Sequence, residues 1–187
     1  MVNYNKAVFL DRDGVIVRSF VKNGKAYAPT KFKDFKIYKY SVSCIKKLNS
    51  LGFKTIVVTN QPDVTRKLIS KNTLNKMHVF LKKKTDVSKI YTCIHTQEQK
   101  CKCRKPLPGM LFEAAKVYKI NLKKSYMIGD RLIDILCGNK AGCKTIFINR
   151  NYQEKKPLNH ISSVKNLIEA TNYIIKNLEN KNKKLKN

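Results

Sequence analysis

The chain has 187 residues, enough for one domain with a sizeable core. No stretch approaches the roughly 18 consecutive apolar residues that span a bilayer, and no membrane partner is expected. Met1 leads directly into a strand pattern with no signal-peptide character, which makes the expected location cytoplasmic. The formal net charge of +28 would suit a nucleic-acid binder. However, 34 of the 40 basic residues are lysines spread along helical stretches, and the six arginines that would read bases or clamp phosphates are not interleaved with aromatics. The charge is therefore read as a compositional lysine bias that would help attract a phosphorylated small molecule. No nucleic-acid partner is expected.

The first strand pattern, Lys6–Leu10, runs into Asp11-Arg12-Asp13-Gly14. Val15 to Ala28 breaks the pattern that follows and reads as two short strands around Lys22-Asn23-Gly24, a hairpin beside the first strand's end. Then come a helix over Val42–Leu51, a strand over Lys54–Thr59, a helix over Ser70–Lys83 and a strand over Lys89–His95. A helix over Gly109–Tyr118, a strand over Ser125–Ile128, a helix over Arg131–Ala141, a strand over Lys144–Ile148 and a helix over Ser163–Leu178 complete the series. Such alternation predicts an α/β fold with a mainly parallel sheet and helices on both faces. Every connection is short, so residues 1–178 are expected to form one domain without an inserted one. Residues 179–187, almost all Lys and Asn, are expected to be a disordered tail.

Polar residues collect where these strands end, the edge at which open α/β sheets bind ligands. The first strand delivers Asp11 and Asp13. The second ends in Thr59-Asn60-Gln61, Arg104-Lys105-Pro106 precedes a helix, and a later strand ends in Gly129-Asp130-Arg131 with Asp134 one helical turn on. Together they supply a candidate carboxylate nucleophile, a second carboxylate, a hydroxyl with neighbouring amides, a cation and a further acidic pair. A phosphate ester needs its negative oxygens neutralised before an anion can attack. Mg²⁺, held by one or two carboxylates, does this.

In this order the four motifs resemble the haloacid dehalogenase superfamily of phosphatases, over about Lys6 to Asn149. They are most similar to its D-glycero-D-manno-heptose 1,7-bisphosphate phosphatase group, whose sister is histidinol-phosphate phosphatase. The resemblance implies a Rossmann-like core, a small hairpin flap and no large cap. It implies that Asp11 attacks phosphorus and that Asp13 acts as general acid, then base. Asp11, the Asp13 backbone carbonyl and Asp130 would hold Mg²⁺, while Thr59 and Lys105 bind the phosphoryl oxygens. Asn60, Arg104 and Arg131 are expected on the substrate. Arg12 is expected there too, or else bracing its turn by a salt bridge. Asp134 would orient Lys105 or a metal-bound water, or else be a helix-surface acid paired with a nearby lysine.

A second signal is Cys93-Ile94-His95 followed, five residues later, by Cys101-Lys102-Cys103. Alternate residues of an extended chain face the same way, so each pair can converge on one ion. Reduced cysteines in this pattern read as metal ligands. Three thiolates and an imidazole form a closed tetrahedral set for a structural Zn²⁺, tying down the loop that runs into Arg104 and Lys105. The same kind of loop occurs in the heptose-bisphosphate group. Cys44, Cys137 and Cys143 read as packing residues.

Two departures from that group lie on the substrate side: the loop Thr96–Lys100 is short, and Lys67 stands where relatives often place glycine. The sequence-level expectation is a monomeric, Mg²⁺-dependent phosphomonoesterase acting on a sugar bisphosphate, with histidinol phosphate or a polynucleotide 3′-phosphate as alternative substrates.

Overall fold

The computed structural model describes residues 5–184. Its centre is a six-stranded sheet built from β1 (Lys6–Leu10), β4 (Phe53–Asn60), β5 (Lys89–Cys93), β6 (Tyr126–Gly129), β7 (Lys144–Ile148) and β8 (Ser162–Val164), in the order β5-β4-β1-β6-β7-β8. Every pairing in it is parallel. The chain winds outward from β1 to β5 on one side, then returns to place β6, β7 and β8 on the other. This reversal opens a crevice at the carboxyl ends of β1 and its two neighbours.

Strand alternation divides the core into two layers. Val8 and Leu10 of β1, with Val57, Ile128 and Ile146, face α1 (Lys39–Ser50), α2 (Lys71–Thr85) and α5 (Leu167–Lys184). Ala7 and Phe9, with Ile56, Val58 and Met127, face α3 (Gly109–Tyr118) and α4 (Leu132–Lys140). Helix α1 shows why these segments are helical: its buried Ser41, Cys44, Ile45 and Leu48 recur at helical spacing and form one stripe. Cys44, Cys137 and Cys143 are all buried, as expected of packing residues. Among the described residues no helix is long and apolar enough to cross a membrane.

The segment after β1 forms the expected hairpin, β2 (Phe20–Lys22) and β3 (Lys25–Tyr27), as a separate antiparallel pair. Its turn residues Asn23 and Gly24 have φ of 49° and 69°, both in the left-handed region that such a two-residue turn requires.

Two expectations need correction. Ser163 does not begin a helix. Residues Ser162–Val164 are an edge strand paired with β7, and α5 starts at Leu167. Asn166 Oδ1 accepts from Glu169 N at 3.1 Å while Glu169 Oε2 accepts from Lys165 N at 2.9 Å, a reciprocal cap that marks the true start. At the other end α5 runs to Lys184, through six residues expected to be disordered tail, because extending a formed helix needs only one more hydrogen bond per residue. Residues 185–187 lie outside the described residues.

Candidate active site

Adjacent strands carry the motif residues to one edge. Leu10 is in register with Val57 of β4 and with Ile128 of β6, so Asp11, Thr59 and Asp130 emerge side by side. Asp11 N still donates to Ile128 O at 3.0 Å, which continues the ladder one residue beyond the strand. The chain then turns sharply at Gly14, where φ is +88°. A Cβ at this position would fall 1.8 Å from Asp130 Oδ2, so glycine is required both for the turn and for the approach of the second carboxylate.

Lys105 reaches into this edge from its loop and is 2% exposed. Its ammonium lies 2.5 Å from Asp11 Oδ1 and 2.6 Å from Asp134 Oδ1, and donates to Val58 O at 2.9 Å. Burial alone would lower its pKa, but the two carboxylates raise it above the ordinary lysine value. Asp11, Asp130 and Asp134, all buried, bring one carboxylate oxygen each to within 4.8 Å of one another. Burial and its two acidic neighbours push Asp130 well above the usual carboxylate range. Burial pushes Asp134 up to about 6 against the pull of Lys105. Asp130 Oδ1 is buried with no hydrogen-bond partner among the described residues. Three crowded carboxylates with an orphaned oxygen and a single ammonium suit a hard divalent cation.

Asp13 does not add its side chain to that group. Its carboxylate receives Arg12 Nε at 3.0 Å and Nη2 at 2.8 Å, together with Gln61 Nε2 at 2.8 Å. Burial raises its pKa, partly offset by Arg12. Gln61 Nε2 also donates to Thr59 Oγ1 at 2.8 Å, so one amide sets both the acid and the hydroxyl.

Arg12 is not on the substrate side, which corrects that part of the expectation. Its side chain is fully buried, bound to Asp13, 3.0 Å from His78 Nε2 and stacked 5.3 Å from the Phe35 ring centroid. Residue 12 follows an inward–outward alternation that continues from β1, so its side chain points behind the site and braces the turn. His78 must accept from the guanidinium and is therefore neutral. Burial, then Arg12, lower its pKa to about 3.

A cleft of about 300 Å³ opens above these groups, with Thr59, Asn60, Arg104 and Arg131 on its walls and Lys25 to Ala28 of the hairpin across from them. Asn60 spends its amide on the backbone of Lys105, donating to its O at 3.0 Å and accepting from its N at 3.1 Å. Its role is thus to seat the lysine. Arg104 donates to His95 O at 3.0 Å, and Arg131 pairs with Glu154 at 2.8 Å.

The cysteine loop converges as its spacing suggests. Cys93 Sγ lies 3.6 Å from both Cys101 Sγ and His95 Nδ1, while Cys103 Sγ lies 3.3 Å from His95 Nδ1 and 3.4 Å from Cys101 Sγ. These separations are close to those between ligands about 2.0–2.3 Å from one central ion, so the four atoms fit tetrahedral zinc. Gln61 N donates to Cys93 O at 2.7 Å, joining this loop to the Thr59 corner.

Three participants carried no motif: His78 on α2, and Tyr152 and Glu154 in the loop after β7. Tyr152 Oη donates to Asp130 Oδ2 at 2.8 Å. Glu154 Oε1 accepts from Ala26 N at 3.2 Å while its other oxygen holds Arg131. Only their position in space links them to the site.

Residues 102–180 match a family model described as HAD-hydrolase-like. The chain is 33% identical over 180 residues to a D-glycero-β-D-manno-heptose-1,7-bisphosphate 7-phosphatase of Helicobacter pylori strain J99, covering 93% of this chain and 99% of the relative. A D-glycero-α-D-manno-heptose-1,7-bisphosphate 7-phosphatase of Campylobacter jejuni is 31% identical over 173 residues, covering 90% and 95%. Among solved structures, a D,D-heptose 1,7-bisphosphate phosphatase from B. bronchiseptica complexed with magnesium and phosphate superimposes with a TM-score of 0.79. It is 24% identical, with 92% of this chain and 99% of that one covered.

Proposed function

This chain belongs to the HAD-like hydrolases, in the group of the heptose-1,7-bisphosphate 7-phosphatases, and from that membership we propose that it removes the 7-phosphate of D-glycero-D-manno-heptose 1,7-bisphosphate. The observation that carries this is the convergence of Asp11, Lys105, Asp130 and Asp134 at one sheet edge in a chain that matches such enzymes along almost its whole length.

Asp11 is the nucleophile. Its free carboxylate oxygen attacks phosphorus, the bond from phosphorus to the sugar's C7 oxygen breaks, and an aspartyl-phosphate forms. Asp13 gives its proton to the departing oxygen. Its raised pKa favours the protonated form that this step needs. Asp13, now ionised, takes a proton from the water that attacks the aspartyl-phosphate, which restores Asp11 and releases phosphate. Lys105 and Thr59 receive the phosphoryl oxygens, with Lys105 held by Asp134 and Asn60. Asp11, Asp130 and the Asp13 carbonyl would hold Mg²⁺, which when bound withdraws charge from the phosphoryl group. The four-ligand cysteine loop would hold zinc as a structural ion, since no ligand position is left for water.

Phosphate release in Mg²⁺ from a substrate panel tests the proposal. The panel contains both anomers of the heptose bisphosphate, fructose 1,6-bisphosphate, histidinol phosphate and a 3′-phosphorylated oligonucleotide. One heptose anomer is expected to give the highest kcat/KM, and Asp11→Asn to abolish turnover with zinc content and fold retained. Preference for histidinol phosphate or the oligonucleotide, or a fully active Asp11→Asn, overturns it.

A further inference from the structure

The Tyr152 phenol has two partners that no motif links. It donates to Asp130 Oδ2 at 2.8 Å and lies 2.7 Å from Ser19 Oγ. Its single proton is committed to the carboxylate, so Ser19 is the donor in the second contact. Asp130 is 2% exposed, and its other oxygen, Oδ1, has no partner among the described residues. No other hydrogen bond to the Asp130 carboxylate is found among the described residues. One oxygen is therefore tethered and the other left open beside Asp11 and Asp134.

The surroundings preserve that arrangement. Gly14 leaves room for the contact, because a Cβ there would fall 2.9 Å from the Tyr152 Oη as well as on the carboxylate. Arg150, two residues earlier, donates through Nε to Gly14 O at 2.8 Å and through Nη2 to Tyr40 Oη at 2.9 Å, which pins the loop over the turn. Gln153 N donates to Gly24 O at 2.8 Å, fastening the same loop to the hairpin. Tyr152 is thus fixed by its chain neighbours on both sides and does not depend on Asp130 for its place.

We propose that Tyr152 is a positioning residue for the divalent cation: it holds Asp130 in the rotamer that offers Oδ1 to the ion and, through Ser19, couples that carboxylate to the base of the hairpin flap. The inference rests on the proposed Mg²⁺ set. Partners that orient a ligating carboxylate commonly change metal affinity or activity by about 10–100-fold when removed.

Calorimetric titration of Mg²⁺ alone into zinc-loaded, Mg²⁺-free protein tests it. Tyr152→Phe removes one oxygen and keeps the ring. Its Mg²⁺ dissociation constant is expected to rise about tenfold or more, with zinc content and the Mg²⁺-free melting temperature unchanged. In turnover, the Mg²⁺ concentration for half activity should rise in parallel, while kcat recovers at saturating Mg²⁺ and substrate KM stays within twofold. Tyr152→Leu serves if the first variant does not fold, and is expected to lose at least as much. A folded variant that binds Mg²⁺ within twofold of the parent overturns the inference. Asp130→Asn separates the two readings. If it loses Mg²⁺ binding while Tyr152→Phe does not, only the positioning role falls; if it also binds Mg²⁺ normally, the proposed metal set falls and the inference with it.

Discussion

Lys105 Nζ and Asp134 Oδ1 stand 2.6 Å apart with side-chain exposures of 1% and 2%. An ammonium so placed is both the catalytic cation of the proposed reaction and the counter-charge for the acidic cluster. Lys105→Met removes it and leaves Asp11, Asp130 and Asp134 facing one another. The expected cost is about 3–5 kcal/mol of stability in Mg²⁺-free buffer, the usual penalty for stripping one partner from a buried pair. Added Mg²⁺ should restore part of it, while turnover stays lost. Asp134→Asn, which leaves Lys105 paired with Asp11, should cost less. Urea unfolding with and without Mg²⁺ decides; an unchanged midpoint for Lys105→Met would contradict the electrostatic account.

Zinc removal should act on the cation at a distance. The loop from Cys93 to Cys103 leads directly into Arg104 and Lys105. Metal analysis should find one zinc per chain. Cys101→Ser is expected to lower its affinity, reduce the melting temperature and speed amide exchange through residues 94–105, with activity falling alongside. Activity that survives full zinc loss would show that Asn60 seats Lys105 unaided.

Acid stability should report on His78. Its pKa is lowered from 6.5 to about 3 by burial and by Arg12. Between those two values the unfolded chain binds a proton on this residue that the folded chain does not, so stability falls as pH drops from about 6.5 toward 3. His78→Gln keeps an acceptor for Arg12 and has nothing to titrate. Its unfolding midpoint should decline less than the parent's over this range. Asp134, raised to about 6, acts in the opposite direction in both proteins and cancels in the comparison. Parallel curves would rule the histidine out.

Lys67 occupies the left-handed region at φ 60°, which glycine adopts without penalty. A non-glycine residue pays roughly 1–2 kcal/mol there, offset in part by glycine's greater entropy in the unfolded state. Lys67→Gly is expected to stabilise the protein by about 0.5–1 kcal/mol in urea unfolding. A loss of stability would mean that the lysine side chain makes up for its backbone.

Much of this site was legible from residue order. Asp11, Thr59 and Asp130 were expected together because each lies where a strand ends, and parallel strands deliver their carboxyl ends to one edge, while Lys105 precedes a helix on a loop that joins them there. The cysteine-histidine cluster was legible because its four residues lie within eleven residues of one another. Arg12 went the other way because a salt bridge to its own neighbour, a stacking ring on Phe35 and an acceptor on α2 together form a buried socket for it. Asn60 was expected on the substrate and instead grips the Lys105 backbone. The edge strand β8 was missed because Ser162 and Ser163 carry no apolar alternation; pairing with β7 makes it a strand.

By itself the sequence determined the alternation of strands and helices, the parallel sheet, the four motifs at its edge and the cysteine-histidine cluster. All of these follow from local periodicity and short spacing, which the chain carries in itself. Only the tertiary structure decided that Tyr152 meets Asp130 from 22 residues away and that His78 meets Arg12 from 66. Such contacts depend on how a loop and a helix pack over the first turn, and no local pattern of residues encodes that.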